Sequence, residues 1–273
     1  MSCRTQPKSL TVTMSAMCAV LYAIGAYLTA RLVSPWGSGQ FRPAVVIPTV
    51  FASFFGPLVG GLGAALGTLI ADSIARGVLD VRSLVSAVPG NFVGFYLFGW
   101  LMKRKFCWSN YVKTSQIILI LANAMVALPY VYYRTFVDAS YPIAFRNAWV
   151  CVSLGLIAWW YVTMLPFVLV VGPVLIRAVA PALTGLLSQE LSLKLREQVP
   201  RGSVFLAMFV PSVVMLLIGV FLVTANPGLL VASHFAPNVL ILTGMQAMFL
   251  VSGLVLLALS LLTLRLARPL KTT

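Results

Sequence analysis

The sequence predicts an all-α, polytopic membrane helix bundle, a six-helix core followed by two further C-terminal transmembrane helices. Three observations carry this expectation. Of 273 residues, 60% are hydrophobic and only 9% are charged, against about 25% charged in a soluble domain, and the mean hydropathy is +1.00. Apolar runs recur at the length of about 20 residues that a spanning helix needs. The basic residues punctuate these runs instead of lining one polar face. The net charge of +14 therefore reads as topology signals and anionic-lipid contact, and no nucleic-acid partner is expected.

The first span is Met14 to Val33. Arg4 and Lys8 precede it as they would a signal peptide, but the run is long enough to cross and lacks a convincing cleavage site, so it reads as a retained helix. The stretch from Pro43 to Ala75 would extend roughly 50 Å as one helix, well beyond a hydrocarbon core of about 30 Å. Gly56-Pro57 interrupts it, since proline lacks the donor N–H and restricts the residue before it. It is read as a hairpin of Pro43 to Phe55 and Leu58 to Ala75. Further spans follow at Ser83 to Met102, Ser115 to Tyr133, Ala148 to Ile176, Ser203 to Thr224 and Val239 to Leu264, for an expected eight membrane helices.

The charges orient this arrangement with both termini cytoplasmic in the plasma membrane. The inner side then holds Arg4, Lys8, Lys103, Arg104, Lys105, Lys113, Arg177, Lys194, Arg196, Arg201, Arg265, Arg268 and Lys271. The outer side holds Arg31, Arg42, Arg76, Arg82, Arg134 and Arg146, so the inside carries the excess. A seven-helix arrangement exchanges only Arg4 and Lys8 for Arg31 and Arg42, and helix length together with Gly56-Pro57 decides for eight. Domain boundaries follow: a six-helix membrane domain over 1–178, a cytoplasmic connector over 179–201 and a two-helix C-terminal pair over 202–273. In the connector Leu186, Leu187, Leu191 and Leu195 alternate with polar residues at helical spacing, predicting an amphipathic helix along the inner membrane surface.

Candidate functional residues are few. Asp72 is the sole acidic residue well inside an apolar segment, and either pairs with Arg76 one turn on or serves a ligand. Asn91 and Asn123 lie inside predicted helices, as ligand contacts or interhelical hydrogen bonds. The loop Ser34 to Pro43 has the composition of a lid: glycines to hinge, Trp36 and Phe41 to cover a flat ligand, Gln40 beside them, and Arg42 to neutralise an anionic group. Its other reading is an interfacial anchor. Ala19 and Ala23 form an AxxxA stripe that packs inside the bundle or receives a partner's helix, and Gly56, Gly60, Gly63 and Gly67 make a groove for close helix packing.

No catalytic, metal or cofactor set is expected. Cys3, Cys18, Cys107 and Cys151 form no CxxC pair, His234 lacks a nearby acidic partner, and no GxxxxGK[ST] sequence is present. The reading is of a protein that is not an enzyme and does not hydrolyse nucleotide itself.

The order and spacing of these motifs resemble the substrate-binding S component of energy-coupling factor (ECF) transporters. The resemblance covers roughly residues 10 to 178 and rests on Ala19 and Ala23, on Arg42-Pro43, on the run Phe54 to Gly63, and on Val88-Pro89-Gly90-Asn91 with Gly94. It implies a subunit that binds a vitamin or related micronutrient under the loop between helices one and two. It also implies a membrane T component docked on Ala19 and Ala23, and two cytoplasmic ATPases driving import by toppling the subunit. Trp36, Gln40, Phe41 and Arg42 would belong to the lid, and Asn91 to the pocket. Thr68 stands where members often carry an acid, with Asp72 only later, and the last two helices lie outside the usual plan. A stand-alone ion-coupled carrier using Asp72, and a non-transporting membrane scaffold using the alanine stripe, are the competing expectations.

Overall fold

The computed structural model describes residues 7–183, 185–187 and 189–265. Cys3, Arg4, Arg268 and Lys271, used in the expectations above, lie outside the described residues. The chain is all-α. In order it forms α1 (Lys8–Leu28), α2 (Val46–Phe55, entered through a tight turn at Pro43–Val45), α3 (Pro57–Arg76), α4 (Val81–Val85), α5 (Ala87–Arg104), α6 (Trp108–Tyr132) and α7 (Ala144–Asn147). There follow α8 (Trp149–Pro166), α9 (Gly172–Val179), α10 (Gln189–Arg196), α11 (Arg201–Thr224), α12 (Pro227–Ala232) and α13 (Val239–Arg265).

Among the described residues six helical stretches are long and apolar enough to cross a membrane: Lys8–Leu28, Pro57–Arg76, Trp108–Val137, Trp149–Leu183, Arg201–Thr224 and Val239–Arg265. The chain is thus a six-span polytopic membrane protein. This corrects the expected six-helix core with two additional C-terminal spans, because the two C-terminal helices are themselves members of the six. The two segments that drop out do so for physical reasons. Pro43–Phe55 is helical but short, about 20 Å at 1.5 Å per residue against a core of about 30 Å. Helix α5 has 18 residues, but Pro89, Gly90, Asn91, Gly94 and Gly99 dilute its apolar content and it ends on Lys103 and Arg104. Both helices are packed inside the bundle against α3.

The break between α2 and α3 falls where proline and glycine place it. Gly56 adopts φ +86°, a conformation that L side chains resist, and Pro57 opens α3 at the position where its missing N–H is not needed. Close approach then fixes α3 among its neighbours. A methyl group on Gly63 would collide with Cys18 of α1, one on Gly67 with the Ala19 carbonyl, and one on Gly60 with Ala52 of α2. Ala19 and Ala23 lie on this inward face of α1, 3% and 5% exposed. The surface that α1 leaves open is made instead of Met17, Val20, Leu21 and Ile24.

Two polar links tie distant helices together through carbonyls that lack a helical donor. Residue 211 is proline and cannot donate to the Ala207 carbonyl one turn back in α11. The Gln116 side chain of α6 donates to that carbonyl at 2.7 Å, and the Tyr161 hydroxyl of α8 donates to the Gln116 oxygen. Below α8 the chain widens into a π-type turn at Phe167–Val171, where the Gly172 amide reaches back to Phe167. The Tyr111 hydroxyl bonds the Val168 carbonyl at 2.8 Å. Helices α11 and α13 pair antiparallel, with Gly219 against Leu250 and Gly253 against Leu216, and pack on α6 and α8.

Candidate small-molecule site at one end of the bundle

The loop that joins α1 to α2 folds back on itself. The Phe41 amide bonds the Leu32 carbonyl at 2.7 Å, Val33 and Gln40 form an antiparallel bridge, and the Ser34 amide bonds the Gly39 carbonyl at 3.1 Å. This pinched loop is docked rather than free. Trp36 is 3% exposed and lies against Gly155 of α8, where a methyl group would overlap its indole ring. Pro35 sits against Gly244 of α13. The Trp160 indole donates to the Gln40 carbonyl at 3.0 Å, the Phe41 ring meets Phe167 edge-on at 5.8 Å, and the Ser38 hydroxyl is bonded to the Tyr141 phenol. Burial pushes that phenol up to about 12, so Tyr141 stays neutral in this bond. Gly155→Ala is expected to cost about 1–3 kcal/mol through overpacking, with Trp36→Phe in the same chain recovering part of it. Thermal unfolding of the single and double variants checks this.

Beneath the loop lies a cavity of about 70 Å³. Its walls come from Tyr22 of α1, Gln40 and Arg42 of the loop, Asp72 of α3, Asp80 and Ser83 around α4, Asn91 of α5, Asn123 and Tyr130 of α6, and Trp160 and Met164 of α8. Of the residues that the sequence proposed for ligand contact, Gln40, Arg42, Asp72, Asn91 and Asn123 are brought together here. Trp36 and Phe41 are not among the lining residues. Both are engaged with α8 and the turn below it.

Charge in the cavity is balanced internally. Arg42 forms a salt bridge with Asp72, each side chain 9% exposed, and the second Asp72 oxygen accepts the Ser83 hydroxyl at 2.7 Å. Arg42 also donates to the Gln40 side chain at 2.8 Å. The expected pairing of Asp72 with Arg76 is corrected: Arg76 turns to Asp80 at 2.7 Å. Asp80 in turn caps α4 through the Arg82 and Ser83 amides. Asn91 donates to the Thr68 hydroxyl at 2.7 Å. Asn123 differs: it is 4% exposed, and among the described residues its amide nitrogen has no partner. A buried donor left unpaired costs about 1–3 kcal/mol.

A further salt bridge ties α4 to the segment that follows α6. Asp138, past the end of α6, is bridged to Arg82 of α4 and accepts the Ser140 amide at 2.9 Å. Burial raises the Asp138 carboxyl, but Ser140 and Arg82 outweigh it and hold the group below its ordinary value of 3.8. A depressed carboxyl stabilises the fold above its unfolded value and stops doing so as the pH falls through the lower folded one. The difference in melting temperature between the native chain and Asp138→Asn is therefore expected to be present near neutral pH and to vanish well below 3.8.

The sequence reading missed Tyr22, Ser83 and Trp160. Each is an ordinary membrane-helix residue in isolation, and only the spacing Ser83 to Asp80 carried a signal, that of an N-cap. Compared with protein-family models, curated proteins and solved structures, the chain matches none.

Proposed function

We propose that this chain is a membrane-embedded substrate-binding subunit for uptake of a small polar micronutrient, of the ECF S-component type. The observation that carries this reading is the unpaired Asn123 amide in a cavity roofed by a docked loop. It supplies a hydrogen-bond donor for which a ligand would be the acceptor. Because Arg42 is already neutralised by Asp72, the site favours a neutral or internally neutral molecule over a simple anion. A cavity of about 70 Å³ admits a few waters, whereas small-molecule sites span roughly 300–1,000 Å³. Binding therefore requires the loop over residues 29–42 to lift, the lid movement that the resemblance implies.

The end bearing Lys103, Arg104, Lys105 and Lys194 is proposed as cytoplasmic. At the other end Arg42, Arg76 and Arg82 are each paired with an aspartate. Transport would depend on a T component and ATPases, and the chain itself would not be an enzyme. Ala19 and Ala23 are buried, so a partner helix would meet the Met17, Val20, Leu21 and Ile24 face of α1 instead. The carrier alternative rested on Asp72 as a proton or cation site, and the Arg42 salt bridge occupies that carboxylate.

Native mass spectrometry of the purified chain tests the proposal. A co-purified metabolite is expected, and Asn123→Leu should reduce its retention about tenfold or more, the loss of a buried hydrogen bond. Absence of any bound metabolite, with no T component or ATPase recovered in pull-downs, would refute it.

A further inference from the structure

The opposite end of the bundle carries a second recess that the proposed uptake site does not use. It occupies about 380 Å³ between the Gly56 turn, the C-terminal end of α5 and α10. Lys103, Arg104, Lys105 and Lys194 line it, with Glu190 as the acidic member. Glu190 is taken up by Lys194, one turn on in α10, at 2.6 Å. Among the described residues neither Lys103 nor Lys105 is in an ion pair, and the Arg104 guanidinium lies over the Trp100 ring at 3.7 Å. The recess therefore carries an uncompensated charge of about +3.

Basic residues after a membrane helix are ordinary topology signals and by themselves define no site. Two features go further. The cations surround a concave space instead of being spread along a flat stripe. The same space is walled by Phe54, Phe55, Met102 and Phe106, an apolar surface that a free inorganic anion has no use for.

We infer that this recess binds one anionic phospholipid, its phosphate between Lys103, Lys105 and Lys194 and the start of its acyl chains against Phe54, Phe55 and Phe106. The amphipathic ligand matches both walls, and basic recesses on the cytoplasmic side of helix bundles hold such headgroups. Helix α10 completes the site: Leu195 is buried beneath it, while Lys194 reaches the recess.

The test is native mass spectrometry of the full chain released from nanodiscs of equal phosphatidylglycerol and phosphatidylcholine. Preferential retention of one phosphatidylglycerol is expected. The Lys103→Gln, Lys105→Gln, Lys194→Gln triple variant should lose that preference by about tenfold or more. Lys194→Gln alone, with its melting temperature measured, gives the same reading in smaller measure if the triple variant does not fold. Equal retention of the two lipids, or unchanged preference in a folded variant, would overturn the inference. So would displacement of the lipid by glycerol phosphate or by an acidic peptide at comparable concentration, since either would assign the recess to a soluble anion or a protein partner.

Discussion

Asp72→Ala is expected to destabilise the chain by about 3–5 kcal/mol, because it leaves the Arg42 guanidinium buried without its counter-charge. Arg42→Ala should cost a similar amount by orphaning Asp72, although Ser83 still donates to that carboxylate. Replacing both residues with apolar side chains of similar size should recover most of the loss, since the desolvation of two charges disappears along with their attraction. Thermal unfolding in detergent checks the series. Equal losses in the single and double variants would place the cost outside the salt bridge. The same variants speak to ligand retention, because Arg42 and Asp72 both line the cavity.

The second large effect is expected at Gln116. Leucine there removes the donor to the Ala207 carbonyl and the acceptor of the Tyr161 hydroxyl, two part-buried bonds at about 1–3 kcal/mol each at most. Interhelical hydrogen bonds in membranes average nearer 0.6 kcal/mol, so a total of about 1–3 kcal/mol is expected. The origin of the effect has a sharper check. In a Pro211→Ala background residue 211 regains an N–H that satisfies Ala207 within α11, and Gln116→Leu should then cost measurably less. A double-mutant cycle on melting free energies gives the coupling.

These two cases show what the sequence can and cannot disclose. Helix positions follow from local pattern, and the turn at Gly56-Pro57 was legible because its cause lies in two adjacent residues. The partner of Asp72 was not. Arg76 stands one turn away in the same helix, whereas Arg42 is reached only after the chain has doubled back through α2. Trp36 had the composition of a lid residue, but its place is decided by the absence of a side chain at Gly155, far along the sequence. The count of spans failed for a different reason. The apolar runs around α2 and α5 contain the prolines, glycines and Asn91 that suit helices shielded by neighbours, and a reading by length alone does not separate these from helices that face lipid. Ala19 and Ala23 illustrate the same ambiguity, since a small-residue stripe serves an internal neighbour as well as an external one. Pro211 could have pointed to Gln116, because every proline inside a membrane helix leaves a carbonyl that some other group must satisfy.

The contact between Pro35 and Gly244 joins the first loop of the chain to its last helix. Raising the loop from α8 and loosening α13 from the bundle are for that reason not independent events. By thermodynamic linkage the coupling is reciprocal: detaching the loop eases the loosening of α13 by the same free energy as loosening α13 eases the detachment of the loop. The C-terminal pair thus acts as a counterweight on the roof of the cavity, and a bulky residue at 244 should make the loop easier to open without touching the cavity at all.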